Sequence, residues 1–396
     1  SIVLSPALEI VERLRCGAQA RLQGRFEQAR QIYRDLLLFS DRPDLAGLDA
    51  SNHRYLRCGV MAGLGLMDAH CGLASCMEWA DKIESDPLYV VPAFQIRMVY
   101  ALWEGRVHDA DKLKSHFELL RIQSSPRQLA DGPYLIGRVT ANAWSDDLTR
   151  IKQAAEDIAS MTTRFHSWRA VSEYALGEYD RIRGDRLHAM EHIQAALALC
   201  APGTSLIWPY VAAAHVQLLR ADGQLGAARR AAEAYLAEAR ARALGWHIGF
   251  LQLPLALILC ELEEHAAAAA LADSVIDGFS EAGSRGLPIV LSLEVRTQIA
   301  LAQQDLPKYE QFLQQLGEHV RGGQGRGLRA KYERCKQSSR KLVNAADLAR
   351  ATQRAAAAAA QQRRRGPAVL APRERTRAGG TGRGGQPRPW PDALSG

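Results

Sequence analysis

A chain of 396 residues with 47% hydrophobic content holds enough apolar material for one large domain or a long repeat array with appendages. Its net charge of +7 joins two unlike regions. From Arg321 onward there are about 18 Lys+Arg against about 4 Asp+Glu, and before it about 32 basic against about 39 acidic residues, so a phosphate-binding argument is confined to the tail.

The first residues, Ser1 to Pro6, carry neither a basic leader nor a continuous apolar run, and the greasiest stretch, Phe250 to Leu262, is interrupted by Gln252 and Pro254. Neither a signal peptide nor a membrane span is expected. Without an initiator Met, the chain reads either as a processed protein or as the back part of a longer one. Its seven cysteines are odd in number, scattered and set in apolar helical context, the pattern of reduced core thiols in a cytoplasmic protein.

To about residue 320 apolar residues step by three and four, in stretches rich in Ala, Leu, Arg, Glu and Gln, with hairpin-turn dipeptides scarce. Helix is predicted throughout. From Cys16 to Tyr33 two helical stretches are punctuated by Gly24; Gly17 and Ala29 are small where helices must touch, and Phe26 and Tyr33 can fill the space between them. This segment resembles a tetratricopeptide repeat. Leu176, Gly177, Gly184, Ala189 and Ala196 fall at the same mutual offsets, with Pro202 closing the second helix.

Weaker copies place turns at Gly105 with Ala110 following, at Asp146-Asp147, at Gly223 with Ala228, at Glu264-His265 with Ala269, and at Asp305-Leu306. From Gly105 they step by about 38 to 41 residues, a solenoid period. The resemblance is to the long-period arrays of bacterial signalling ATPases and maltose-activator-type transcription regulators. Between Asp41 and Ser85 one hairpin is expected, its turn at Gly65 or Gly72.

The array spans about residues 7 to 320 in about eight antiparallel hairpins. It predicts an all-α, right-handed α-solenoid with a concave groove for a protein or peptide, the handedness and groove being implied by the resemblance. Residues 1–320 are expected to form the repeat domain, 321–365 a basic capping or connector helix carrying Leu328, Tyr332, Cys335 and Leu342 on one face, and 366–396 a disordered Arg/Gly/Pro-rich tail. The tail's composition also matches a GC-rich gene read out of frame, and so a lost downstream domain.

The sharpest enzymatic pattern is His188-Ala189-Met190-Glu191-His192, the H-x-x-E-H order of inverted zinc peptidases, with Glu261 or Glu264 as a third ligand. Ala189 already serves as the repeat's packing residue, so a structural reading is preferred. Gly380 to Gly385 satisfies G-x-G-x-x-G without a preceding strand or a following helix. Cys71 and Cys76 lack a second ligand pair. No catalytic residue, cofactor or metal is assigned.

Of the aromatics Tyr100, Trp103, Trp144, Trp168, Tyr179, Trp208, Tyr210 and Trp246, most are expected in packing and a few as partner contacts. The reading is a non-catalytic interaction or sensor scaffold. The alternative is a nucleic-acid-associated protein that makes weak phosphate contacts through Arg321-Gly322-Gly323, Arg363-Arg364-Arg365 and Arg383-Gly384-Gly385, with Trp390 to stack.

Overall fold

A helix can reverse into an antiparallel partner only if its last carbonyls find donors, and one left-handed residue achieves this by curling the chain back on itself. In the computed structural model this occurs at the turn of each of eight hairpins among the described residues, at Gly24, Gly72, Gly105, Asp146, Gly184, Gly223, Glu263 and Gln304, all with positive φ. The residue after each donates its N–H to the carbonyl five positions earlier, as in Arg25 to Ala20 (2.9 Å), Asp147 to Asn142 (3.1 Å) and Asp305 to Ala300 (3.0 Å). From Gly105 onward these turns are spaced at about 38 to 41 residues.

The described residues are 6–40, 49–123, 132–163, 165–322 and 325–338, with 353, 354, 356, 357 and 360 beyond them. Two compact units divide the chain, 1–340 and 341–396. Eight hairpins make up the first: α1 (Pro6–Leu22) with α2 (Phe26–Ser40), α3 (Ala50–His70) with α4 (Ser75–Glu84), α5 (Val90–Trp103) with α6 (Val107–Gln123), and α7 (Gly132–Trp144) with α8 (Leu148–Thr162). Then follow α9 (Arg169–Arg183) with α10 (Arg186–Leu199), α11 (Trp208–Ala221) with α12 (Leu225–Ala241), α13 (Ile248–Glu261) with α14 (His265–Glu281), and α15 (Leu287–Ala302) with α16 (Leu306–Gly322). Another helix, α17, covers 326–338. No strand occurs among the described residues.

Gly72 is therefore the turn of the second hairpin. Gly65 lies inside α3, where an added Cβ would meet Ile96 at 2.6 Å. α16 runs to Gly322, past the expected boundary at residue 320, and α17 begins at 326. Leu328 and Cys335 of α17 are buried, and Tyr309 of α16 donates its hydroxyl to the Cys335 carbonyl at 2.9 Å. Leu342 and the predicted tail 366–396 lie outside the described residues.

First and second helices of the hairpins differ in how they are covered. The second helices bury one stripe, as Ala228, Ala232, Leu236 and Ala239 do in α12. By contrast α13 and α15 are buried over most of their circumference. Ser292 and Thr297 can sit inside α15 because their hydroxyls bond back to the Pro288 and Leu293 carbonyls, at 2.7 and 2.6 Å.

The inner cover comes from the superhelix returning on itself. Leu206 donates its N–H to the Leu22 carbonyl (2.7 Å) and Arg285 to the Gly72 carbonyl (3.0 Å), so loops late in the array rest on turns near its start. Gly286 abuts the backbone of Trp103 and Glu104, and Gly327 that of Ser145. These contacts make a stack rather than an open spiral.

Candidate functional site

Several residues that carry the repeat pattern sit between paired helices. A Cβ at Gly17 would lie 2.7 Å from the Tyr33 ring, and one at Gly177 would lie 2.8 Å from Ile193. Phe26, Ala29, Tyr33, Ala110, Ala189, Ala196 and Ala228 are buried, and Leu176 packs on the core half-buried. Gly24, Gly105, Gly184 and Gly223 occupy the turns. They occupy the hairpin turns and the packed contacts of the helices.

The zinc-like pattern does not assemble. His188 is exposed, with Nδ1 on Asp185 (2.9 Å), while Nδ1 of His192 meets Glu173 (2.7 Å) and its Nε2 faces Asp180 at 3.8 Å. Among the described residues no group of three or more His, Cys, Asp or Glu is placed to hold an ion. All seven cysteines are free thiols, and burial raises the pKa of Cys200 to about 12.

Four of the eight singled-out aromatics converge on Phe250. Phe250 is fully buried, with ring centroids 5.8 Å from Trp103, 5.2 Å from Trp144, 5.4 Å from Tyr210, 5.0 Å from Trp246 and 5.5 Å from Phe279. These rings form an aromatic plug inside the stack. Tyr100, Trp168, Tyr179 and Trp208 lie elsewhere, Trp208 edge-on to Tyr235 and Tyr100 bonded to Glu104.

His247 belongs to the plug, edge-on to Phe26 at 4.7 Å and to Tyr210 at 5.7 Å. Burial, reinforced by nearby His70, lowers its pKa to about 3, a backbone interaction with Gly24 offsetting this only in part. An unfolded imidazole binds a proton below about pH 6.5, whereas the folded one stays neutral to much lower pH, so stability falls with acidification. Between pH 7 and pH 5 the loss from His247 alone is expected to be about 2 kcal/mol. Urea melts of wild type and His247→Phe at both pH values check it, the variant losing that much less; His215 and His319, also lowered by burial, act equally in both.

Beside the plug a cleft of about 430 Å³ remains open. Trp144 and Asp146 at the end of α7, Arg181 of α9 and Arg186 of α10 form one side. Gln217 and Arg220 of α11, Pro254 and Leu257 of α13, and Leu291, Glu294 and Gln298 of α15 continue it, and Lys331 and Arg334 of α17 complete the lining.

Asp146 is the electrostatic hub. Its carboxylate meets Arg181 at 3.1 Å, Lys331 at 2.8 Å and Arg334 at 2.9 Å, while Lys331 also reaches Glu294 at 3.1 Å. Burial alone would raise the Asp146 pKa, but the Lys331 and Arg181 charges hold it well below the usual carboxylate range. The same pairings outweigh desolvation at Lys331 and raise its pKa. Arg181 is further tied to Glu178 at 2.8 Å.

Sequence reading named Asp146 only as a turn and passed over Arg181, Arg220, Glu294 and Lys331. No local signal marks them: Arg334 meets Asp146 across 188 residues, and Lys331 meets Glu294 across 37.

No protein-family model and no curated protein sequence matches the chain. Among the solved structures that match, the first described next is similar in fold. The crystal structure of Rap protein complexed with competence and sporulation factor aligns over 86% of this chain and 94% of its own, at 13% identity and a TM-score of 0.59. The crystal structure of the P58(IPK) TPR domain aligns over 84% and 99%, at 12% identity and a TM-score of 0.21. The chain is an all-α solenoid of tetratricopeptide-like repeats. No helix among the described residues is long and apolar enough to cross a membrane.

Proposed function

We propose that this chain is a non-catalytic scaffold that binds a protein or peptide in the cleft beside the aromatic plug, as the long-period repeat portion of a cytoplasmic bacterial signalling or transcription-regulating protein. The supporting observation is the composition of the cleft. Its apolar walls and polar side chains have the mixture that ligand sites use for affinity and orientation.

The sensor aspect rests on α17. Lys331 and Arg334 line the cleft and also hold α17 to Asp146 and Glu294, so an occupant that engages either cation is thermodynamically linked to the placement of α17. The chain continues from α17 into residues 341–396. That gives cleft occupancy a covalent route to the C-terminal unit. The protein fold of the Rap complex supports repeat-mediated binding by resemblance of architecture alone.

Capture from a nuclease-treated lysate of the source organism, with the full chain and with Leu257→Arg as bait, tests the reading. Leu257 is half-buried on the cleft wall, so an arginine there fills the space. A protein or peptide retained by wild type and lost from the variant is the expected result. An identical set captured by both would overturn the assignment to the cleft, and recovery that requires nucleic acid would favour the basic tail instead.

A further inference from the structure

We propose that the groove between α16 and α17, at the C-terminal end of the stack, receives the same groove of a second copy of this chain, making a two-fold symmetric dimer. None of the residues that line it lines the cleft, so the two sites stand or fall separately.

Each hairpin of a repeat stack is covered by the next, and the last one leaves a face for a cap or a partner to cover. Here α17 covers part of that face. It runs antiparallel to α16: Tyr309, near the start of α16, donates its hydroxyl to the Cys335 carbonyl at 2.9 Å, and further along, a Cβ at Gly317 would lie 3.0 Å from the Tyr332 ring. Between the two helices a groove of about 660 Å³ stays open, larger than the cleft beside the plug. Its floor is apolar, with Leu313, Gly317 and Val320 at the three- and four-residue steps of one helix face and Tyr332 opposite. Leu313 and Tyr332 are half-buried, so each still offers apolar surface.

The rim carries charge of opposite sign at its two ends. Glu310 and Glu333 stand toward the start of α16, and Arg321 and Arg329 toward its end, Glu310 and Arg321 being separated by about 16 Å of helix. All four are exposed. Among the described residues Glu310, Glu333 and Arg329 have no ionic partner, and Arg321 donates its Nε–H to the Gly317 carbonyl at 3.2 Å. Two charges close by are engaged within the chain: Lys336 stands over the Tyr332 ring at 5.9 Å, and Glu318 accepts from Gln314 at 3.1 Å.

This order of charges selects the occupant. A two-fold axis across the groove reverses its direction, so the acidic end of one copy meets the basic end of the other, and the contact is made twice. A partner helix carrying a single sign of charge would satisfy one end and be repelled at the other. Leu313 and Tyr332 of both copies then meet near the centre, an aromatic anchor within a charged rim.

Sedimentation velocity of the full chain from about 1 to about 100 µM is expected to show a monomer–dimer equilibrium. Two charge-reversed chains, Arg321→Glu with Arg329→Glu and Glu310→Lys with Glu333→Lys, each carry one sign at both ends. Alone, each is expected to dimerise at least about 100-fold more weakly. Mixed in equal amounts they are expected to form a heterodimer of about wild-type affinity, because every contact again joins opposite charges, and that recovery also shows both variants to be folded. A wild type still monomeric at about 100 µM would overturn the proposal. Reversed chains that dimerise alone as the wild type does would also overturn it, since the contact would then lie elsewhere. Reversed chains that stay monomeric both alone and mixed would overturn the end-to-end pairing of the grooves.

Discussion

Gly286→Ala is expected to cost about 4 kcal/mol, while Gly278→Ala, a few residues away, is expected to stabilise the chain by about 0.5–1 kcal/mol. Gly286 has φ +70° and ψ −130°, a region that side chains with a Cβ scarcely enter. A methyl there would lie 2.2 Å from the Trp103 carbonyl oxygen and 2.6 Å from the Glu104 Cα. Both are backbone atoms. The local chain is also pinned, since Arg285 donates to the Gly72 carbonyl at 3.0 Å, so relief requires parting two layers of the superhelix. Gly278 is exposed in α14 with nothing within 4 Å of an added Cβ, and there alanine only improves helix propensity. Urea denaturation followed by circular dichroism measures both changes. A loss below about 1 kcal/mol at Gly286 would mean that the stacked layers separate easily.

Asp146→Asn is expected to destabilise the chain by about 3 kcal/mol, because it strips the hub of its charge while Arg181 and Lys331 stay where they are. Asparagine tolerates the left-handed turn that Asp146 occupies at φ +55°, so the variant isolates the electrostatic contribution from the backbone one. Asp146→Ala removes both and is expected to lose somewhat more. The sign with pH follows from the depressed pKa: the hub contributes above the unfolded carboxylate value near 4 and is lost as pH falls below it. Melts near pH 7 should therefore separate wild type from Asp146→Asn, and the gap should narrow below about pH 4. Proteolysis just beyond α17 should also quicken in the variant, since α17 loses its ties to Asp146 through Lys331 and Arg334.

The hairpin turns were legible because their cause is local. Gly24, Gly105, Gly184 and Gly223 meet a backbone requirement within a few residues, and the small partners Ala29, Ala189 and Ala228 recur at fixed offsets from them. Asp146, whose side chain can serve a left-handed turn, was readable for the same reason. The region from Asp41 to Ser85 was ambiguous because α3 contains several glycines and the one that makes the turn, Gly72, follows just after its end. Gly65 is small to admit Ile96, Gly72 to turn, and composition alone does not separate the two.

What the amino-acid sequence by itself determined is thus the all-helical character, the pairing of neighbouring helices and the approximate number of hairpins. Each follows from periodicity and turn chemistry acting over one repeat. The tertiary structure alone decided that the superhelix stacks on itself, that Phe250, Trp246 and Trp103 form one aromatic plug, and that Asp146, Glu294 and Lys331 form one hub beside a cleft. Those contacts join residues far apart in the chain, and their existence depends on small rotations accumulated from repeat to repeat. A rotation of that kind is set by the fit of many side chains at once, so no single motif records it.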